Sequence, residues 1–566
     1  MSKESGVYYN NPLLYIFIVF ILASFTYEIY YYNKLAAILI AASLFFLIIF
    51  NTERYLKIFL LIILIIALMN NVFYYNYTPK ANEEIRVVSL KYNRGIGEIK
   101  GRKVNISIEA SEEIVGSKIY VKGNFNRNLN ISKGIIGDFT IIKYEKRKKD
   151  LTLYLYDLRK DLYDKIQSKL GVRKAGIISS VAYGYDDNIE SYDREKMKYY
   201  GISHAICVSG LHITMVYSIV LLFGSNLLGM IVSFFYMLFS GAKESAIRAY
   251  IMIVISNLAL KLKRQYNMMA ALSLAGIVIL IVKPYCLFSI GFILSFVNII
   301  GINFFNKKIN RVFYKIPSKI RQVVAITLST QIFILPITMM YFNEFCANSI
   351  IGNLLIIPFI NIIIVLGNLL ILFLKIPMVF NYILFVSKYI IILMDNIMNF
   401  FDKITIDIFY IYYGAAYFYI AMLITYYFYK KGYKRFIYYP IIVFIYVSII
   451  VYSPIVNIKY YNEGAIVISF KGKRTFIQYN EDANNDKLEK ITLSKERLDN
   501  NFKKFLIKEG VYIKPSGENY IIKTEKEQCL LKVNYDKINY NYEIIDFTKG
   551  DIKDVWIVKD IIISRR

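Results

Sequence analysis

Histidine is almost missing from this chain, with two residues in 566. Both fall in one stretch, Tyr200-Gly201-Ile202-Ser203-His204-Ala205-Ile206-Cys207-Val208-Ser209-Gly210-Leu211-His212. Cysteine is nearly as scarce. Cys207, Cys286, Cys346 and Cys529 stand singly, with none of the paired spacing that a disulfide framework or a zinc finger requires. No Gly-x-x-x-x-Gly-Lys-(Ser/Thr) run occurs, so any ATP-driven motor must be a partner. Acidic residues are short too, 42 against 69 basic, for a net charge of +27. Part of that excess is the bias of membrane proteins toward basic cytoplasmic loops. The rest lies in extramembrane stretches and suits a polyanion, either nucleic acid or anionic lipid headgroups.

What the chain has in quantity is apolar residues, 56% of the total. A hydrocarbon core of ~30 Å takes about 20 residues of helix. Runs at 13–29, 35–50, 56–73, 245–262, 268–282, 288–305, 323–341, 350–374, 382–398, 409–429 and 436–452 read as spans, and 213–223 and 227–239 are shorter. The fold class expected is a polytopic α-helical membrane protein of about 11–13 spans. It carries an inserted small all-β domain of the oligonucleotide-binding type outside the membrane and a small strand-rich C-terminal domain. The first run lacks a small-residue cleavage pattern and reads as a retained span.

Five blocks follow: 1–77, N-terminal transmembrane helices; 78–150, the β domain; 151–200, an amphipathic helical segment; 201–453, transmembrane again; and 455–566, a second polar block. In the first polar block, 85–90, 104–109, 118–122 and 139–144 alternate apolar and polar residues between glycine-marked turns. About five short strands in such a length suggest a small closed barrel, with a β-sandwich or structural plug left open. Its cations Arg86, Lys91, Arg94, Lys100, Arg102, Lys103, Lys118 and Lys122 are the candidates to meet a nucleic-acid backbone. With the amino terminus inside and both short runs at 213–239 crossing, the basic loops at 261–264, 307–321 and 430–435 all fall on the inner face and the β domain outside, whereas a re-entrant run there inverts the later half.

Arg248 enters an apolar run holding no acid, so it must snorkel, meet another helix or line a wet path. Gln331 before Pro336 and Asn353 before Pro358 put amides and helix-breaking residues in long apolar helices, where freed backbone groups need water or protein. The histidine stretch admits three readings. A metal site using His204, Cys207 and His212 fails on a continuous helix, where the imidazoles lie ~12 Å apart, unless the helix breaks at Gly210. Ser209-Gly210 resembles the nucleophile motif of intramembrane serine proteases, but Cys207 stands where a glycine belongs and nothing marks an oxyanion hole. As a packing or pore-lining element, Gly201 and Gly210 allow close helix approach while Ser209 and the imidazoles bond to neighbouring helices.

His204-Ala205-Ile206-Cys207-Val208-Ser209-Gly210-Leu211-His212 resembles the signature of the ComEC family of competence proteins, approximately His-Leu-Leu-Ala-(Ile/Val)-Ser-Gly-Leu-His. Further matches follow in order: Ser245-Ala246-Ile247-Arg248-Ala249, then Gly291-Phe292-Ile293-Leu294-Ser295-Phe296, then Gln331, Pro336, Phe342, Asn353 and Pro358. The resemblance covers about residues 10–453 and implies a multi-pass channel of the bacterial cytoplasmic membrane that admits one strand of DNA during natural transformation. It implies channel roles for His204, Ser209, Gly210, Leu211, His212, Arg248, Gly291, Ser295, Gln331, Pro336, Asn353 and Pro358. The implied partners are single-stranded DNA, membrane lipid, a surface DNA receptor, an ATP-driven translocase, a separate nuclease and further copies of the chain. Family members commonly end in a metallo-β-lactamase-like nuclease whose metal site is a histidine cluster. Here no histidine follows His212, so 455–566 is expected to be a degenerate remnant with no metal, no cofactor and no cleavage activity. A serine hydrolase centred on Ser209 and a non-transporting scaffold remain as alternatives.

Overall fold

A computed structural model describes residues 11–50, 54–91, 93–108, 114–146, 150–206, 208–461, 464–480, 484–498, 502–534, 542–548 and 554–565. Cys207 lies outside the described residues. The chain divides into two compact units, residues 1–333 with 347–407, and residues 334–346 with 408–566.

The first unit opens with α1 (Pro12–Tyr32), α2 (Lys34–Phe50) and α3 (Arg54–Tyr75). These helices are apolar on every side, the pattern of a segment surrounded by lipid or protein. Five strands follow: β1 (Asn82–Lys91), β2 (Arg94–Ile99), β3 (Arg102–Ser107), β4 (Lys118–Asn126) and β5 (Ile135–Lys146). They close into a barrel in the order β1-β2-β3-β5-β4, with β3 and β5 parallel and β1 paired back onto β4. This is the Greek-key connection of the oligonucleotide-binding fold.

The alternation that marks β1, β3, β4 and β5 is missing from β2, whose Gly95 and Gly97 look like turn residues. The barrel explains both. A Cβ on Gly95 would sit 1.9 Å from the Ser89 carbonyl oxygen, and one on Gly97 2.6 Å from an Ile85 methyl group. Here β1 carries a bulge between Val87 and Ser89, and glycine lets the sheet bend tightly where it closes.

The barrel is seated on the helices rather than tethered beside them. Arg102 is buried, donating from Nε to the Tyr74 carbonyl at 3.0 Å and from Nη2 to the Phe73 carbonyl at 3.1 Å. The hydroxyls of Tyr74 and Tyr75 donate to the carbonyls of Gly134 and Ile131 at 3.1 and 2.9 Å. Gly134, at φ 73°, leaves room for the Tyr285 ring that a Cβ would strike at 2.3 Å. Barrel residues and side chains from α1 and α3 accordingly share one apolar core.

Beyond the barrel come α4 (Leu151–Leu170), α5 (Val172–Tyr183) and α6 (Ser191–Tyr199). Residues 151–200, expected to be amphipathic and helical, are three helices, of which α5 is the buried one. Every residue from Ala175 to Tyr183 is buried, because Gly171 (φ 81°) and Gly184 (φ 68°) turn the chain inward on either side. Arg173 fixes the N-terminal end of α5 by binding Asp193 and Asp395, each at 2.8 Å.

The membrane helices continue as α7 (Gly210–Phe223), α8 (Asn226–Phe239), α9 (Glu244–Lys261), α10 (Met268–Val282), α11 (Ile290–Val312), α12 (Ser318–Tyr341), α13 (Ser349–Leu372) and α14 (Pro377–Phe401). Among the described residues, seven helices are long and apolar enough to cross a membrane: Pro12–Tyr32, Tyr55–Tyr75, Ile290–Val312, Ser318–Tyr341, Ser349–Leu372, Pro377–Phe401 and Lys434–Val451. Four shorter apolar helices accompany them, Lys34–Ser43, α7, α8 and α10. At 1.5 Å per residue, the 15 residues of α10 reach about 22 Å, short of the hydrocarbon thickness. The run at 268–282, read as a full span, is therefore a short helix, and α7 and α8 form a short hairpin turned at Gly224-Ser225.

Within α13, Gly352–Ile356 winds as a π-helical turn just before Pro358. Proline supplies no N–H and crowds the carbonyl four residues back, so the backbone widens locally.

The second unit contains the strand pair β6 (Glu344–Phe345) with β7 (Phe409–Tyr410), then α15 (Gly414–Lys430) and α16 (Tyr439–Val451). The run expected as one span at 409–429 thus begins as a strand. Residues 456–565 build two sheets around one apolar core, one of six strands and one of five. Ala465–Phe470 and Lys473–Gln478 form a hairpin whose turn residues Lys471 and Gly472 both have positive φ, 47° and 80°, as a type I′ turn demands.

Candidate functional site

The site is assembled where α6 stops. Gly201, at φ 68°, ends that helix, a short 3-10 turn carries Ser203–Ala205, and Ser209 sits in extended backbone as the N-cap of α7. The helix does break beside Gly210, as a shared metal would have required. Yet among the described residues no group of three or more His, Cys, Asp or Glu is placed to hold a metal ion.

His212 occupies the third position of α7, where a glutamate often completes a capping box. Its Nδ1 accepts the Ser209 backbone N–H at 3.1 Å and lies 3.0 Å from Ser209 Oγ. A backbone N–H can only donate, so Nδ1 carries the lone pair and the ring proton resides on Nε2. The side chain is fully buried. Its Nε2 faces the Val181 backbone on α5 without a formed hydrogen bond. His204 is exposed to solvent, and its ring lies near enough to His212 for their charges to interact.

Gly210 is glycine because of Arg248. A Cβ there would fall 2.7 Å from Arg248 Nη2 and 3.3 Å from the Ala249 Cβ. Arg248, itself buried, donates from Nε to Ser295 Oγ at 2.6 Å and reaches Met252 Sδ with Nη1 at 3.6 Å. Among the described residues no carboxylate pairs with it. Three stretches separated in the chain, Ser209-Gly210, Arg248 and Ser295, therefore meet around one guanidinium whose charge is not neutralised.

Other expected residues lie elsewhere. Leu211 is exposed. Gly291 has open space where a Cβ would be, so it is not a packing contact. Gln331 and Pro336 stand within α12, and Pro358 follows the π turn containing Asn353. That turn reaches the site through a neighbour: a Cβ on Gly352 would lie 2.2 Å from the Tyr200 carbonyl oxygen.

Several anchors were not legible in advance. The Asn348 amide donates to the carbonyls of Tyr199 at 3.1 Å and Ile406 at 2.7 Å, and the Tyr200 hydroxyl donates to Asp402 Oδ1 at 2.7 Å. Each is a polar residue whose partner is about 50 to 200 positions away, beyond the reach of local pattern. Glycine before an amide, as in Gly352-Asn353, was the one usable signal.

The barrel cations divide sharply. Arg86 and Lys118 are tied to Asp150, Lys118 at 3.6 Å, and Lys100 to Glu83 at 3.3 Å. Arg102 anchors α3 as described, and half-buried Lys103 lies over the Tyr285 ring at 4.3 Å, burial holding its ammonium below the usual lysine range. Lys91, Arg94 and Lys122 are exposed. The β4–β5 connection, one of the two loops with which this fold grips oligonucleotides, is occupied by the contacts with Tyr74, Tyr75 and Tyr285.

Fold and site together define a polytopic helical membrane protein of the cytoplasmic membrane, built around an inserted Greek-key barrel and a buried, unneutralised arginine. Residues 181–431 match the family model described as Competence protein, in agreement with the resemblance of the histidine stretch to the ComEC family. It is 26% identical over 211 residues to ComE operon protein 3 of Bacillus subtilis (strain 168), covering 36% of this chain and 27% of that relative. The match thus spans about a quarter of the relative's length. No solved structure matches the chain.

Proposed function

We propose that the protein acts in DNA uptake during competence, its membrane unit passing single-stranded DNA across the cytoplasmic membrane. The observation that carries this reading is the convergence of Ser209-Gly210, Arg248 and Ser295 around a guanidinium lacking a carboxylate. A fixed cation deep in a helical membrane protein is costly and marks an ion or substrate path, and a phosphate backbone is the polyanion that would use it. Exposed Lys91, Arg94 and Lys122 on the barrel offer weak, salt-sensitive capture of the strand, with no base readout. Gln331, Pro336, Asn353 and Pro358 belong to the helices that frame the path. A surface receptor, an ATP-driven translocase, a separate nuclease and self-association complete the proposed setting.

The 455–566 block is read as a non-catalytic remnant, because its sequence supplies no imidazole where a dinuclear zinc nuclease needs several.

The decisive test is labelled-DNA uptake into a nuclease-protected pool, using a deletion strain complemented with wild-type or His204, Ser209, His212 and Arg248 variants. Loss of uptake with surface binding retained supports the channel. Full uptake in the deletion strain would sink it and favour the scaffold alternative.

The 3.0 Å approach of Ser209 Oγ to His212 Nδ1 is the one observation favouring the serine-hydrolase reading. It is weakened because Nδ1 already accepts the Ser209 N–H and no carboxylate orients Nε2, as a triad would require. Labelling by a fluorophosphonate probe, lost in Ser209→Ala, would revive it.

A further inference from the structure

Residues 306–321 join α11 to α12 and hold six basic side chains and no acidic one. A bias toward basic cytoplasmic loops accounts for their number. It does not account for their arrangement. Asn306, Lys307, Asn310 and Arg311, on one face of the last turns of α11, line a cavity of about 340 Å³ together with Tyr314 and with Arg321 from the first turn of α12. Arg321 spends Nη1 on the Tyr314 carbonyl at 3.1 Å, which holds the guanidinium beside the end of α11. Its Nε, a donor, is buried with no partner among the described residues. Buried donors normally find an acceptor, and the positive end of α12 adds to the same potential. The cavity is built for an oxyanion.

Its position selects the source. α11 and α12 are both membrane-crossing helices, so the pocket lies at their ends, at headgroup depth. The same helices carry exposed apolar side chains near these ends, Phe304 (40% exposed), Val312 (73%) and Ile320 (40%). At that depth the oxyanion within reach is a lipid headgroup phosphate. We propose that this pocket binds the phosphate-bearing headgroup of an anionic phospholipid, fixing the α11–α12 connection to the membrane surface.

The test uses the full-length protein purified in a neutral detergent, its melting followed against added phosphatidylglycerol, phosphatidylcholine, inorganic phosphate or a short single-stranded oligonucleotide. Phosphatidylglycerol is expected to raise the melting temperature saturably and phosphatidylcholine to leave it unchanged. The double variant Arg311→Gln/Arg321→Gln is expected to weaken phosphatidylglycerol binding by about tenfold or more. Lys315→Gln/Lys319→Gln removes the same charge outside the cavity and is expected to change it less than about threefold. Lys307→Gln gives an intermediate loss and serves if the double arginine variant does not fold. Equal losses for the two charge-matched pairs would show diffuse attraction and overturn the proposal. Stronger protection by the oligonucleotide or by inorganic phosphate, at equal phosphate concentration, would overturn it as well.

Discussion

Arg248→Met separates what the buried guanidinium costs from what it does. Arg248 is 8% exposed, makes one charge-assisted hydrogen bond to Ser295 at 2.6 Å and meets no carboxylate among the described residues. Removing that bond costs about 1.5–3 kcal/mol, and the half-buried Ser295 hydroxyl left without its donor costs about 1 kcal/mol. Against this stands the effective penalty for holding an unpaired ion out of water, several kcal/mol. The opposing effects are of similar size, so Arg248→Met alone should move stability little. Adding Ser295→Ala removes the orphaned hydroxyl, so the double variant should be at least about 1 kcal/mol more stable than Arg248→Met, roughly 2–4 °C in melting temperature. Uptake should fail in both, because the cation has gone. The assays are thermal melting of purified protein and entry of labelled DNA into the protected pool. A double variant that takes up DNA normally would refute the reasoning. So would an Arg248→Met protein that melts more than about 10 °C low and is not rescued by Ser295→Ala.

Two further outcomes follow from the geometry. Asp150 caps α4 by accepting the Leu153 N–H at 3.0 Å while pairing with Arg86 and Lys118. Burial pushes its carboxyl up, but the Arg86 and Leu153 hydrogen bonds outweigh burial and hold it below the usual carboxylate range. That contribution is present above the unfolded value of about 3.9 and is lost as pH falls through the lower folded value. Asp150→Asn keeps the cap and should cost about 1 kcal/mol at pH 7, with the difference in melting temperature shrinking below about pH 4; a gap that persists undiminished at pH 3 contradicts the assignment. The glycines of the matched segment should respond with opposite signs. Gly352→Ala drives a Cβ against the Tyr200 carbonyl and should cost about 1–3 kcal/mol, whereas Gly291→Ala fills open space on a helix and should gain about 0.5–1 kcal/mol. Equal effects on melting would show that Gly352 is not a contact.

The membrane class was legible because it needs only composition and run length. Even so, α10, α7 and α8 show that apolar content and spanning length are separate properties. The barrel was legible in four strands and obscured in β2, where Gly95 and Gly97 serve closure rather than a turn. At the site, the rarity of histidine singled out residues 204–212, and Arg248 stood out as a charge in an apolar run. Their mutual placement was not readable. Nothing local in the sequence says that Gly210 is small to admit a guanidinium, that Ser295 accepts from it, or that Asn348 and Tyr200 brace the turn from positions far along the chain.

The barrel cations give the clearest division. Counting them made the domain a basic surface, and five of the eight proved to be spent on Asp150, Glu83, Tyr285 and the backbone of α3. By itself the sequence determined the inventory: which residues can carry charge, how few imidazoles there are, and which runs are apolar, since all of these depend on side-chain chemistry alone. Only the tertiary structure decided how those charges are spent. Ion pairs and hydrogen bonds act over about 3–4 Å, and what lies within that distance is fixed by how the helices and the barrel pack, not by proximity along the chain.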